Sequence, residues 1–270
     1  MATRNPDKAN EAIAEIKKEV GQHANIEFLQ VDLTDFSSVK RAASKMDGRP
    51  INVLVNNASV AAPKDDLGRK TIDGFEITMQ TNHFGPFLLT KLLTKNVASA
   101  APSRIIYQAA SGESMATLNW DDLEGKQKED STLIGEYAQT KLMNIMIAKD
   151  MNKRLEGTGI DVIACQPGVS HSAIYSKADT SKPDVKAIDI NQKLAGQSQE
   201  RGAIPLLYCC TAPDLQGKGG VYIGPKYFKG PINLNIGQTK EREPKNAEAQ
   251  NPIACARLYD MTEEIMQPFY

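Results

Sequence analysis

Residues 51–59 read Ile51-Asn52-Val53-Leu54-Val55-Asn56-Asn57-Ala58-Ser59, or INVLVNNAS. The run from Ile51 to Val55 is short and apolar, and it is bounded by Pro50 and by Asn56-Asn57. Such a run suits a strand buried on both faces, which is the habit of parallel sheets. The same alternation extends in both directions. Upstream, Asp35 to Met46 carries a helical pattern with Val39, Ala42 and Ala43 inward, Ile26 to Val31 reads as a strand, and Asn5 to Val20 reads as a helix. In that first helix Pro6 suits the opening turn, and Ala12, Ile13, Ile16 and Val20 share a face. Downstream come a mostly helical stretch from Ile72 to Ala98 and a strand from Arg104 to Ala109. A helix from Tyr137 to Leu155 follows, ended by Gly157 and Gly159, then a strand from Ile160 to Cys165, stopped by Pro167-Gly168. A helix over Glu200–Thr211, a short strand over Gly220–Ile223 and a helix over Ala247–Met266 complete the pattern. Strands alternating with helices form right-handed crossovers. The expected fold is therefore α/β: a doubly wound parallel sheet with helices on both faces.

No linker interrupts the 270 residues, so a single domain over 1–270 is expected. Segments 112–134 and 172–198 read as loops or lids. The second is polar and follows a strand end, where ligands of parallel sheets bind, so it could close over a substrate or be a solvated insertion.

Composition excludes several function classes. Lys and Arg number 32 against 33 Asp and Glu, a net charge of −1, which argues against a nucleic-acid partner held by a general basic field. No apolar run approaches the roughly 18 residues of a membrane span. The opening residues lack the apolar core of a signal peptide. Cys165, Cys209, Cys210 and Cys255 have no metal spacing, and adjacent Cys209-Cys210 is a poor framework pair. With His23, His83 and His171 far apart, no metal site is expected. Reduced thiols fit a cytoplasmic setting.

The chemistry centres on Tyr137 and Lys141, in EYAQTKL. Four residues apart on a helix places them on one face. An ammonium near a phenol favours the phenolate, so the phenol can exchange a proton with a carbonyl or alcohol near neutral pH. On spacing alone a solvated surface pair is the better reading. Asn82, in TNHFGPFLLTKLL, lies in an apolar helix among Phe84, Phe87, Leu88 and Leu89. It is either exposed, bonded to its own backbone, or buried with a partner. Asn56 and Asn57, after a buried strand, can tie neighbouring backbones together at a sheet's carboxyl edge.

The ordered set resembles the short-chain dehydrogenase/reductase family, in the branch of retinol dehydrogenases and protochlorophyllide-reductase-like enzymes. The segments that carry the resemblance are ATRNPDKA at 2–9, VDLTD at 31–35, VNNAS at 55–59, TNHFGPFLLT at 81–90, YAQTK at 137–141, QPGVSHS at 166–172 and GGVYIGP at 219–225. The resemblance implies a Rossmann-like fold and an oxidoreductase that interconverts a small-molecule carbonyl and alcohol with NADP, or with NAD. It implies Tyr137 as acid/base, Lys141 lowering its pKa and binding the nicotinamide ribose, and Asn82 holding a water in the proton relay. Asp32 and the neighbouring Leu33 would meet the adenine. Asn56 and Ala58 would line the cofactor, and Pro167, Gly168, Val169 and Ser172 would wrap the nicotinamide end. Arg4 resembles the basic residue that pairs with a ribose 2′-phosphate, since a guanidinium suits a phosphate dianion. Asp32 could equally be a helix cap before Ser37-Ser38, and Arg4 a solvated charge.

The sequence departs from that pattern in four places. The family's first strand and Gly-rich turn, which set backbone amides on the pyrophosphate, have no counterpart here. The expectation is an N-terminally incomplete fold: either the polypeptide is longer, with room for a targeting segment, or this form binds cofactor poorly. Arg104-Ile105-Ile106-Tyr107-Gln108-Ala109-Ala110 puts Ala110 at the catalytic serine, with Ser111 one residue on as a candidate substitute. Ser59 replaces a glycine in the Asn-Asn-Ala-Gly pattern, and Gln166 stands where the branch often has His. These departures keep open a non-catalytic scaffold or an inactive truncated form. An isomerase using the same Tyr–Lys chemistry is less suited, because few residues follow Lys226 for a substrate domain. The apolar faces at Phe84–Leu93 and Leu142–Ile147 could form a homodimer's helix bundle or simply a core.

Overall fold

A computed structural model describes residues 1–61, 70–126, 133–171, 174, 183–227 and 235–270. In chain order the elements are β1 (Ala2–Thr3), α1 (Pro6–Val20), β2 (Leu29–Gln30), α2 (Phe36–Ser44) and β3 (Val53–Asn56). Next come α3 (Ile77–Met79), a π-helical turn (Gln80–Phe84), α4 (Gly85–Ala98), β4 (Ser103–Gln108) and α5 (Leu133–Arg154). The remainder are β5 (Ile160–Cys165), α6 (Pro183–Ala195), α7 (Gln199–Thr211), β6 (Tyr222–Tyr227), β7 (Asn235–Glu241), α8 (Ala247–Gln250) and α9 (Pro252–Met266).

The central sheet runs β3-β4-β5-β6-β7, with β3 to β6 parallel, as the alternation predicts. Its last pair, β6 with β7, is antiparallel. The fold is Rossmann-like α/β. Two details go beyond the expected parallel sheet: the antiparallel edge, and a separate parallel pair formed by β1 and β2. Among the described residues β3 pairs with β4 alone, and Val55 is 36% exposed. β2 is shorter than Ile26–Val31 because β1 offers only two residues to pair with. Segment 172–198, read as a loop, contains α6. The helix over Ala247–Met266 is broken, with Asn251 capping α9 through Ile253 and Pro252 opening it.

Local chemistry accounts for the element ends. Asn5 accepts the Lys8 amide at 3.0 Å and Pro6 opens α1, where its missing N–H costs nothing. β4 and β5 are apolar on both faces because helices cover both. Ile105, Tyr107, Val162 and Ala164 face the core shared with α4, α5 and α9, while Ile106, Ile163 and Cys165 face α7 through Cys209. Successive strand side chains point to opposite faces, so the two sets alternate. From Ala138 to Ala148 α5 is buried all round, as suits a helix enclosed by others. The faces at Phe84–Leu93 and Leu142–Ile147 are core: α9 lies over them, with Tyr259 edge-on to Phe87 and Thr262 bonded to His83. The start of α4 meets the loop after β2 closely, since a Cβ at Gly85 would lie 2.8 Å from the Leu33 carbonyl oxygen.

One buried hydroxyl ties these layers together. Thr90 Oγ1 of α4 accepts Nδ2–H of Asn56 at 2.9 Å and the hydroxyl of Tyr107 at 3.1 Å. Replacing Thr90 with Val would leave two buried donors unsatisfied, each costing about 1–3 kcal/mol. Thr90→Val is therefore expected to destabilise the fold by about 2–5 kcal/mol in urea titration. Tyr107→Phe, which removes one donor and orphans none, should cost clearly less.

Candidate active site

The parallel strands β3 to β6 point their carboxyl ends toward one rim, where parallel sheets bind ligands. On that rim α5 presents Tyr137 and Lys141 one turn apart. The Lys141 Nζ lies 5.3 Å from the centroid of the Tyr137 ring. Lys141 is only 1% exposed, and its ammonium donates to the Gln108 carbonyl at the end of β4, at 3.1 Å. Burial pushes its pKa down to about 7. An ammonium has three donors, and among the described residues Gln108 O is the hydrogen-bond acceptor that Nζ finds. Tyr137 is half-buried and packs with Ala61, Ile174 and Val185 of α6.

Asn82 occupies the π-helical turn between α3 and α4, a distortion common at functional sites. Its Oδ1 accepts the Val60 amide at 2.8 Å, and its Nδ2 donates to Val60 O at 2.8 Å and to Thr140 Oγ1 at 3.1 Å. Thr140 in turn donates to Tyr137 O at 2.8 Å. The amide is thus buried with partners, and it clamps the segment after β3 against the turn that carries Tyr137.

Residues 1–121 match the family model described as short chain dehydrogenase. The chain is 29% identical over 276 residues to WW domain-containing oxidoreductase of Danio rerio, an alignment covering 99% of this chain and 62% of that protein. It is 28% identical over 263 residues to retinol dehydrogenase 12 of Mus musculus, covering 96% of this chain and 77% of that one. An uncharacterized protein from Mycobacterium Paratuberculosis has a similar structure, with TM-score 0.71 and 25% identity over 99% of this chain and 83% of that chain. Over residues 1–121 the chain is similar to the short-chain dehydrogenase family. It resembles the retinol dehydrogenase branch of that family, and it spans 62% of the length of the first of these relatives.

Within this fold the other expected residues fall as follows. Pro167, Gly168 and Val169 follow β5, next to the end of β4. Gly168 has φ +81°, which a glycine adopts without strain, and its amide donates to Gln166 Oε1 at 3.2 Å. Gln197 holds this loop, donating to Val169 O at 3.0 Å and accepting the His171 amide at 2.9 Å, while its side chain reaches the Pro167 carbonyl. Ser172 lies outside the described residues. Ala58 is exposed after β3, whereas the Asn56 side chain turns inward to Thr90. Arg4 is exposed at the end of β1. Asp32 follows β2, and its Oδ1 accepts the Thr34 amide at 2.9 Å and the Thr34 hydroxyl at 2.7 Å. It forms a local turn, while Asp35 occupies the cap position of α2. Leu33 sits beside Gly85. Ala110 ends the strand with extended φ −151° and brings a methyl group. Ser111 is exposed at the start of the next turn, Ser111–Met115, and that turn is fixed by Glu113, whose carboxylate accepts the Lys245 and Asn246 amides at 2.9 and 3.0 Å.

Sequence reasoning missed Thr140, Asn144, the Gln108 carbonyl and Gln197. The first two carry a signal: with Tyr137 and Lys141 they form a polar stripe at helical spacing on an apolar helix.

Burial of Lys141 also sets a pH dependence. The unfolded lysine takes its proton near 10.5 and the folded one near 7. Between those values the unfolded chain holds the extra proton, so stability rises with pH across the window, and the cost of the buried charge is fullest below it. Lys141→Met should therefore raise Tm relative to the unaltered chain at pH 6. The gap should narrow as the pH approaches 10, followed by thermal denaturation at matched ionic strength.

Proposed function

We propose that this chain is an NADP(H)-dependent oxidoreductase that interconverts a small-molecule carbonyl and its alcohol. The observation that carries the reading is the buried Lys141 ammonium beside Tyr137, with one acceptor among the described residues for three donors. A buried cation with spare donors suits the hydroxyls of a ribose. The residues present thus fit the ribose–nicotinamide half of a nicotinamide dinucleotide. Lys141 would hold the ribose, the Pro167–Val169 loop the nicotinamide end, and Arg4, after β1, a 2′-phosphate. Among the described residues no glycine lies between β1 and α1 to let backbone amides approach a diphosphate.

When bound, the nicotinamide supplies or accepts the hydride. The chain's own residues handle the proton. In reduction Tyr137 gives its phenolic proton to the substrate oxygen, and the Lys141 cation stabilises the phenolate that remains. In oxidation the phenolate takes that proton back. Asn82 holds the two walls of the site at fixed separation through Val60 and Thr140. Ala110 contributes no hydroxyl to the substrate oxygen, and loss of one such donor lowers rates by about 10²–10³. A slow enzyme is therefore expected.

The same methyl group, with the single pairing of β3, favours a second reading: a non-catalytic member of the family. One experiment separates them. The oxidoreductase reading predicts that NADPH raises Tm by several degrees, as a ligand of the folded state must. It also predicts slow NADPH oxidation with aldehydes or quinones, reduced at least about a hundredfold in Tyr137→Phe. No thermal shift supports the scaffold, and a rate unchanged in Tyr137→Phe contradicts the mechanism.

A further inference from the structure

We infer that Asn144 is a positioning residue for Lys141, holding the carbonyl on which the ammonium rests and linking it to the turn that carries Asn82. This rests on the role given to Lys141 above.

Asn144 stands three residues past Lys141 on α5 and is 2% exposed. Its Nδ2 donates to Gln108 O at 3.2 Å, the same oxygen that accepts Lys141 Nζ at 3.1 Å. A carbonyl oxygen has two lone pairs, and these two donors occupy both. The other side of Gln108 is held as well, since its Oε1 accepts the Cys165 thiol at 3.0 Å. Both donors come from one rigid helix at i and i+3, so the oxygen cannot follow one without leaving the other. Without the Asn144 amide, the carbonyl would be free to tilt, and the ammonium would lose its fixed seat.

The amide is oriented in turn. Nδ2 must face Gln108, because a carbonyl cannot donate, so Oδ1 faces away. Oδ1 accepts no hydrogen bond among the described residues, and the Asn144 side chain neighbours the buried His83 ring. His83 is the residue after Asn82 in the π-helical turn, and its Nε2 lies 3.1 Å from Thr262 Oγ1 of α9. Burial drives its pKa down to about 3, so the ring is neutral across the working range. The buried path Thr262–His83–Asn144–Gln108–Lys141 therefore joins α9, the π-helical turn, β4 and α5 without adding a charge near the ammonium. A residue that only filled the core would need neither amide donor nor this orientation.

The test uses the full chain labelled with ¹⁵N-lysine, without cofactor. The Lys141 Nζ resonance is assigned by its loss in Lys141→Met. In Asn144→Ala, and in Asn144→Asp at pH 8, where the similar-sized side chain only accepts, that resonance should shift or broaden. In steady state both variants should lose about tenfold to a hundredfold in kcat, with KM for the carbonyl substrate within about twofold, as expected for misplacement of a reacting group. Should Asn144→Ala fail to fold, Asn144→Asp and Asn144→Ser give the same readouts, checked by Tm. An unchanged Nζ resonance, or an unchanged kcat in a folded variant, overturns the inference. If instead Tyr137→Phe and Lys141→Met leave the rate untouched, the oxidoreductase reading fails, and the resonance alone still decides whether Asn144 seats the ammonium.

Discussion

A lysine ammonium removed from water and resting on one backbone carbonyl is the constraint around which this molecule is organised. Burial of a lysine is costly unless the charge is paired or the proton is lost. Here the carbonyl of Gln108 offers partial compensation, and the pKa near 7 records what is left uncompensated. That residue of cost is functional in form: spare donors and a labile charge lie one helical turn from a half-buried phenol. Every element that meets at this point does so through a backbone or amide group rather than an opposing charge. β4 supplies the carbonyl, the π-helical turn supplies Asn82, and α5 supplies Thr140 and Asn144.

Those supports depend on the layers behind them. β4 reaches the rim at the right height because Tyr107 and Asn56 are both held by Thr90 of α4. α5 can be buried nearly all round because α9 covers the face that β4 and β5 do not. The helix faces that might have served a partner subunit are thereby used within the chain. The loop after β5 is fixed separately, by Gln197 ahead of α7. The split between the β1–β2 pair and the larger sheet leaves the rim with two sets of strand ends, one carrying Arg4 and Asp32 and the other the proton-handling residues.

Much of this was legible in the sequence, for identifiable reasons. β5 is Ile160–Cys165, as its apolar run and the following Pro167-Gly168 indicate, because a fully buried strand leaves an unmistakable composition. β7 and α6 were not legible: NIGQTKE is an edge strand with mixed polarity, and α6 lies in a polar stretch where no apolar stripe announces a helix. Strand pairing is non-local, so neither the separate β1–β2 pair nor the antiparallel edge could be read from local pattern. At the site, Tyr137 and Lys141 were visible through the order of the surrounding motifs and the family resemblance, since their spacing alone favours a surface pair. The direction of Asn56 was not, since a strand-end side chain may serve either the rim or the core, and here Thr90 decides it. The Gln108 carbonyl has no sequence signature at all, because every residue carries one. The branch-level resemblance holds, while the serine expected at position 110 is a methyl group whose neighbour Ser111 stays on the surface.

The central claim is that a phenol made acidic by a buried ammonium serves hydride transfer from a nicotinamide. Its most direct test is isotopic. The chain is incubated with an aldehyde and NADPH carrying deuterium at both C4 positions, and the alcohol product is analysed by mass spectrometry beside the Lys141→Met variant. The account predicts one deuterium on the former carbonyl carbon of the product from the unaltered chain, and almost none formed by the variant. Alcohol without deuterium, or equal labelling in both proteins, would contradict it.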